Sequence, residues 1–174
     1  ALRRLRAAVG ASQFVLVHLT YVVHYQASDE FKTKPAQNAI RELMQTGLTP
    51  DVLVCRSEHP TTKALPVAAR TKLEQYCGCL VEAPNVDSIY AVPLSFVDQG
   101  VPLFFRRHFA LARGDPLDAS AWRTLRTRRE EVAASDSAPL TVAMVGKYVQ
   151  LHDAYCSLVE AIEHASLHPS VRRR

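Results

Sequence analysis

The sequence predicts an α/β protein built on a parallel sheet, and three observations support this prediction. Two runs of apolar, β-branched residues, 14–23 and 51–55, have the length and composition of buried strands. The segment between them contains apolar residues at helical spacing, so the chain alternates strand, helix and strand. Of the 174 residues, 48% are hydrophobic, which suffices for an ordinary globular core.

The first third of the chain supplies the clearest helix. A short amphipathic helix over 1–8 precedes the first strand, and a polar loop over 26–34 follows it. Pro35 is then predicted at the first helical position, because its fixed φ suits a helix start and its missing N–H would have no partner there. The helix has one apolar face, and Gly47 is expected to end it.

The remaining elements continue this alternation. They are a loop over 56–63, a helix over 67–76, a short strand over 79–82, and helices over 89–99 and 103–109. The segment 111–138 is charged and rich in small residues, so it is predicted to be an interdomain linker that contains a helix. An apolar strand over 140–146 and an amphipathic helix over 153–165 then begin a second domain.

Charge and cysteine content limit the class of protein. The net charge of +4 and the pI near 9.0 fit an anionic partner, either a nucleotide or a nucleic acid. The longest apolar run is too short for the roughly 20 residues that span a bilayer, which predicts a soluble protein. The four cysteines show neither zinc-type pairing nor a secreted disulfide pattern, so the cytoplasm is the expected compartment. They are Cys55, Cys77, Cys79 and Cys156.

The stretch KTKPAQ, Lys32–Gln37, carries the chemistry of greatest interest. At a helix start, the backbone N–H groups of Ala36 and Gln37 and the positive end of the helix dipole can receive an anion. Lys32 and Lys34 add full positive charges at the same place. The stretch has too few glycines for a Walker-type loop, and from the residues alone both a phosphate site and a solvated polar loop remain open.

Four longer strings identify a family. KTKPAQNAIRELMQTGLTPDVLVCRSE, KLEQYC, NVDSIYAVPL and VAMVGKYVQLHDAYCSLVEAIEHA closely resemble CTP synthases in order, spacing and wording. The resemblance covers nearly the whole chain. It implies a ligase of pyrimidine nucleotide biosynthesis that makes CTP from UTP, ATP and glutamine. In that family a P-loop, Rossmann-like synthetase domain uses ATP and Mg²⁺, and a class I glutaminase domain supplies ammonia.

The resemblance also implies a position within the longer enzyme. Residues 1–110 resemble the C-terminal half of the synthetase domain, residues 111–138 the interdomain linker, and residues 139–174 the first strand and helix of the glutaminase domain. The chain is therefore expected to be a central fragment of a cytoplasmic homotetramer that needs neither nucleic acid nor membrane as a partner.

The family's binding residues carry over to ten positions. The resemblance implies contacts with UTP and CTP for Lys32, Thr33, Lys34, Pro35, Ala36, Gln37 and Lys72. It implies contacts with ATP for Pro84, Asn85 and Val86. No catalytic residue and no metal ligand carries over, because the family's P-loop, Mg²⁺-binding carboxylates and glutaminase triad match no part of this sequence. The isolated chain is therefore predicted to be inactive.

Three residues depart from the family's usual wording. Asp29 replaces a glycine, Ala36 replaces a threonine, and Asn38 follows Gln37. An added carboxylate beside a triphosphate should weaken binding by like-charge repulsion. Loss of the threonine hydroxyl removes one phosphate donor.

Two alternatives belong to other functional classes. A basic nucleic-acid-binding module would use the arginine-rich strings RRLR, FFRRH and RTLRTRR, would lose affinity steeply with salt, and would show no preference for UTP over RNA. A non-catalytic truncated product would only associate with full-length subunits, and its open sheet edges and apolar helix faces would make it poorly soluble.

Overall fold

The computed structural model describes residues 1–58, 64–112, 117–135 and 140–168. The chain divides into two compact units, Ala1–Ala119 and Ser120–Arg174. The first unit contains the sheet, and the second is helical in its described part.

A three-stranded parallel sheet forms the centre of the first unit. Its strands are β1 (Val17–Tyr21), β4 (Val52–Arg56) and β5 (Cys79–Ala83), in the order β1-β4-β5. Two further strands, β2 (Val23–Tyr25) and β3 (Glu30–Lys32), form an antiparallel hairpin directly after β1. The predicted α/β class with a parallel sheet is confirmed.

Seven helices accompany these strands in the described residues. They are α1 (Leu2–Val9), α2 (Lys34–Gln45), α3 (Val67–Glu74), α4 (Ala91–Asp98), α5 (Val101–His108), α6 (Ser120–Ala133) and α7 (His152–Ser166), with one 3₁₀ turn at Ala11–Gln13. Within the described part of the chain, none of these helices is long and apolar enough to cross a membrane.

The first face of the sheet packs against α2 and α3. Leu53 of β4 is fully buried there, together with Ile40 of α2 and Leu73 of α3. Burying side chains of this size contributes about 1.5–3 kcal/mol each. Because successive strand residues point to opposite faces, Val52 and Val54 of the same strand join the second core instead.

The second face packs against α4 and α5. Val101 and Phe104 of α5 contact the apolar cluster that contains Val81 of β5. The fold is therefore a helix, sheet, helix arrangement in which β4 is covered on both sides. This explains why β4 appears in the sequence as an uninterrupted apolar run.

The two outer strands of the sheet differ in what bonds or covers them. At β5, the side chain of Gln99 bonds the backbone of Glu82: Glu82 N–H donates to Oε1 at 2.7 Å, and Nε2 donates to Glu82 C=O at 2.9 Å. At β1, Val17, Leu19 and Tyr21 are 48%, 65% and 42% exposed.

Three sequence predictions in this part of the chain need correction. The predicted strand 14–23 is divided into β1 and β2, and the predicted polar loop 26–34 contains β3. Helix α2 begins at Lys34, so Pro35 is its second residue rather than its first. Gly47 follows the helix with φ of 81°, a left-handed conformation that suits glycine, as the sequence indicated.

The second unit differs from its prediction at one place. Residues 140–146, predicted as a strand, form no strand, and Leu140 and Val145 are 87% and 97% exposed. A strand needs a neighbour for its backbone hydrogen bonds, and the described part of this unit supplies none. The predicted helices are present as α6 and α7, and Arg129 of α6 pairs with Glu163 of α7 at 3.9 Å.

Candidate functional site

Most of the residues predicted to bind nucleotides lie beyond the carboxyl ends of the parallel strands. The β2–β3 hairpin and the start of α2 follow β1, the loop before α3 follows β4, and the segment 84–86 follows β5. In open α/β sheets, this edge is where loops and helix N-termini meet to bind ligands.

The start of α2 presents both buried and exposed groups. Thr33 and Ala36 are buried, whereas Lys34 is exposed. The backbone N–H of Gln37 donates to the Thr33 carbonyl at 2.9 Å, so it belongs to the helix's own hydrogen bonding. The prediction that Gln37 offers this N–H to an anion is therefore wrong. Ala36 stands one residue earlier, within the first turn, where helix N–H groups lack intrahelical partners.

A cavity of about 210 Å³ opens between the β2–β3 hairpin and α3. It brings together two of the predicted residues, Thr33 at the start of α2 and Lys72 on α3, although they are far apart in the sequence. Two carboxylates share it with them. Its lining consists of Asp29, Glu30, Phe31, Thr33, Pro66, Ala68, Ala69 and Lys72.

The three predicted lysines have different surroundings. The Nζ of Lys32 pairs with Oε1 of Glu30 at 2.5 Å, and both side chains are about half exposed. Lys72 is exposed, and its backbone carbonyl accepts a bond from the Gln37 side chain at 3.4 Å. Lys32 and Lys34 are not among the described residues that line the cavity, and Lys72 is the lysine that this described lining contains.

The hairpin holds Asp29 in an unusual conformation. Its φ is 51°, in the left-handed region that aspartate tolerates better than most residues. The ring of His24 contacts the Asp29 carboxylate, with Nε2 and Oδ1 2.9 Å apart, and packs against the ring of Phe31 in a tilted arrangement with centroids 4.5 Å apart. These contacts fix the Asp29 side chain at the rim of the cavity.

The opposite wall of the cavity is held by Glu82 of β5. Its Oε2 accepts the backbone N–H of Leu65 at 2.8 Å, and its Oε1 pairs with Arg70 of α3 at 2.7 Å. Arg70 also bonds Glu74 at 2.6 Å, and these contacts raise the pKa of its guanidinium, with the Glu74 hydrogen bond as the largest cause. The position of α3, and therefore of Lys72, depends on this carboxylate.

The segment predicted to contact ATP is anchored by Arg56 at the end of β4. One guanidinium nitrogen donates to the carbonyls of Ser57 and Ala83 at 2.6 and 3.2 Å, and the other donates to the Asn85 side chain. Pro84 and Val86 are half-buried on either side of Asn85. Arg56 escaped the sequence prediction because its partners lie 27 and 29 residues away.

Two thiols of the first core, the buried Cys55 and the half-buried Cys77, are not activated as nucleophiles. Burial raises the pKa of Cys55 to about 12 and that of Cys77 to about 11, so both are neutral thiols rather than thiolate nucleophiles at neutral pH. Across the ranges that the structure describes, no three histidine, cysteine or acidic side chains are grouped to hold a metal ion.

Comparison with known proteins identifies the family. The family model described as "CTP synthase N-terminus" matches residues 1–111. Proteins named CTP synthase from Rhodospirillum rubrum and Roseiflexus are 37% and 39% identical, over 99% and 98% of this chain. One from Methanothermobacter thermautotrophicus is 39% identical over 99% of this chain.

These matches cover almost all of this chain but only a small part of the relatives. The chain spans only about 30% of the length of these relatives, with 31%, 30% and 32% covered. The family model assigns residues 1–111 to the N-terminal region of the enzyme, so it gives no support to the predicted position at its centre. The matches nevertheless cover almost all of this chain, and the chain therefore belongs to the CTP synthase family.

Proposed function

We propose that this chain supplies the UTP- and CTP-binding part of a CTP synthase, a ligase of pyrimidine nucleotide biosynthesis. The observation that carries the proposal is the cavity where Thr33 and Lys72 meet, with Lys34 and the first turn of α2 beside it. Lysine ammonium groups and helix N–H groups are suitable partners for a triphosphate. The reaction of the whole enzyme is the ATP-dependent amination of UTP with nitrogen from glutamine.

The remaining residues have narrower roles in the proposal. Lys32, Pro35, Ala36 and Gln37 complete the triphosphate site, with Gln37 acting through its side chain. Pro84, Asn85 and Val86 contact ATP, and Arg56 fixes their position. ATP and Mg²⁺ are the required cofactors, and the proposal assigns no metal ligand and no catalytic residue to this chain. We therefore expect the isolated chain to be inactive.

The larger organisation is part of the same proposal. Residues 1–110 belong to the synthetase domain, 111–138 to the linker, and 139–174 to the start of the glutaminase domain of a cytoplasmic homotetramer. A nucleic-acid-binding module is not favoured, because the relatives are named CTP synthases and several of the arginines in its basic strings bond within the chain. Arg126, for example, pairs with Glu130 at 2.8 Å.

Nucleotide binding to the 174-residue chain tests this proposal directly. We expect UTP to bind and uridine, which lacks phosphates, to bind much more weakly in isothermal titration calorimetry. Lys34→Gln and Lys72→Gln should each weaken UTP binding about tenfold, since each removes one charge-assisted hydrogen bond. Lys147→Gln, a matched loss of charge in the second unit, should leave binding unchanged. Equal binding of UTP and uridine would contradict the proposal.

A further inference from the structure

Strand β3 places two opposite charges on one side of the hairpin. Residues two apart in a strand share a face, so Glu30 and Lys32 lie side by side, and their charged atoms are 2.5 Å apart. Phe31 between them faces the other way and packs against the first core. The pair is therefore a product of the strand geometry and is held in place by the burial of Phe31.

This pair changes the charge that an entering anion meets. Glu30 lines the cavity, whereas Lys32, which the family resemblance assigns to the triphosphate, is bound to Glu30 instead. With Asp29 also in the lining, the described residues of the cavity supply two carboxylates and one ammonium group, that of Lys72. A polyphosphate is repelled by both carboxylates, and Glu30 offsets the charge of Lys32 for as long as the two side chains are paired.

We propose that Glu30 is an affinity-setting residue, a carboxylate that competes with the triphosphate for Lys32 and keeps nucleotide binding weak. This inference rests on the proposed function, because it concerns the same site. The competition involves no covalent step: the ion pair between Glu30 and Lys32 breaks, and Lys32 pairs with a phosphate oxygen. Glu30 is a positioning residue for Lys32 and has no contact with the uracil ring in this scheme.

The size of the effect follows from the exposure of the pair. Breaking an ion pair between half-exposed side chains lowers the affinity for the nucleotide by up to about fivefold. Removing the Glu30 charge also removes its repulsion of the phosphates, which raises the affinity further. Glu30→Gln is therefore expected to tighten binding of UTP about three- to tenfold. The gain should shrink as salt is raised to 0.5 M, because salt screens exposed charges.

A matched control separates local competition from net charge. Glu42→Gln makes the same charge change on the exposed surface of α2, eight residues or about 12 Å beyond Lys34. At physiological salt this exceeds the screening distance of about 8 Å, so Glu42→Gln should leave affinity unchanged. Circular dichroism and thermal unfolding of both variants establish that the fold is intact.

The titrations use three probes on the 174-residue chain: UTP, inorganic tripolyphosphate and uridine. The expected result is that Glu30→Gln tightens binding of UTP and tripolyphosphate and not of uridine. The gain from Glu30→Gln should be clearly smaller when it is measured in the Lys32→Gln background, because only the repulsion between Glu30 and the phosphates is then relieved. An unchanged or weakened UTP affinity in Glu30→Gln, with wild-type binding intact, overturns the role of Glu30 alone. Tighter tripolyphosphate binding without any preference for UTP supports Glu30 and overturns the proposed function. Absence of binding by both phosphates overturns both.

Discussion

Replacing Glu82 with alanine is expected to lower the free energy of unfolding by about 2–3 kcal/mol. The Leu65 N–H, which donates to Glu82 at 2.8 Å, lies in a residue that is only 5% exposed, so water cannot readily take the place of the carboxylate. An unsatisfied buried donor costs about 1–3 kcal/mol. Loss of the ion pair with Arg70, whose side chain is 40% exposed, adds less than about 1 kcal/mol.

The assay combines urea unfolding with hydrogen exchange at the Leu65 amide. With a typical urea slope of roughly 1–3 kcal/mol/M, the midpoint should fall by about 0.7–3 M, and the Leu65 amide should lose its protection. Glu82→Gln keeps an acceptor for this amide. It should therefore retain most of the stability to urea and most of the protection of the Leu65 amide.

The control is Glu74→Ala, which removes the other carboxylate of Arg70 on the exposed face of α3. This substitution should cost only about 0.3–0.5 kcal/mol and leave the Leu65 amide protected. If the two alanine variants were equally destabilised, the Leu65 bond would contribute nothing beyond a surface ion pair, and our account of the cavity wall would fail.

Two further predictions concern the thiols and the edge of the sheet. The folded chain keeps Cys55 and Cys77 protonated up to pKa values of about 12 and 11, whereas unfolded thiols ionise near 9.0. Stability should therefore be insensitive to these groups below pH 8 and fall between pH 9 and 11 by up to about 1.4 kcal/mol per pH unit for each thiol. Urea titrations at several pH values should show that the stability of Cys55→Val falls less steeply between pH 9 and 11. An unchanged pH dependence would contradict the raised pKa of Cys55. Gln99→Ala should cost about 1–3 kcal/mol by freeing two backbone groups of β5, while the exposed Asp98→Ala should cost less than about 0.5, both measured by thermal unfolding.

The sequence revealed those parts of the fold whose causes are local. Pro35 and Gly47 mark the ends of α2 because their backbone preferences act within one or two residues. Strand β4 could be predicted because a strand covered on both faces is apolar throughout. The hairpin strands β2 and β3 escaped prediction, since three residues are too few to establish an alternating pattern.

In the site, too, features set by neighbouring residues could be predicted from the sequence, whereas contacts between distant residues could not. The position of Thr33 at the start of α2 followed from neighbouring residues, but its meeting with Lys72 depends on how α2 and α3 pack against the sheet. The spacing of Glu30 and Lys32 could have indicated their ion pair, because residues two apart share a face of a strand. This strand, β3, was not predicted. Residues 140–146 have the composition of a strand and still form none, since pairing requires a partner that composition cannot supply.

Because the two outer strands differ in what bonds or covers them, a further strand is expected to add to one edge of the sheet more readily than to the other. Another polypeptide strand arriving at β5 has to displace the Gln99 amide from the Glu82 backbone before it can pair. At β1 it meets backbone groups beside the apolar side chains of Val17, Leu19 and Tyr21, so pairing and burial proceed together. Judged from the described residues, a further strand is therefore expected to pair more readily at β1 than at β5. Charged substitutions at Leu19 should block this pairing without disturbing the nucleotide edge.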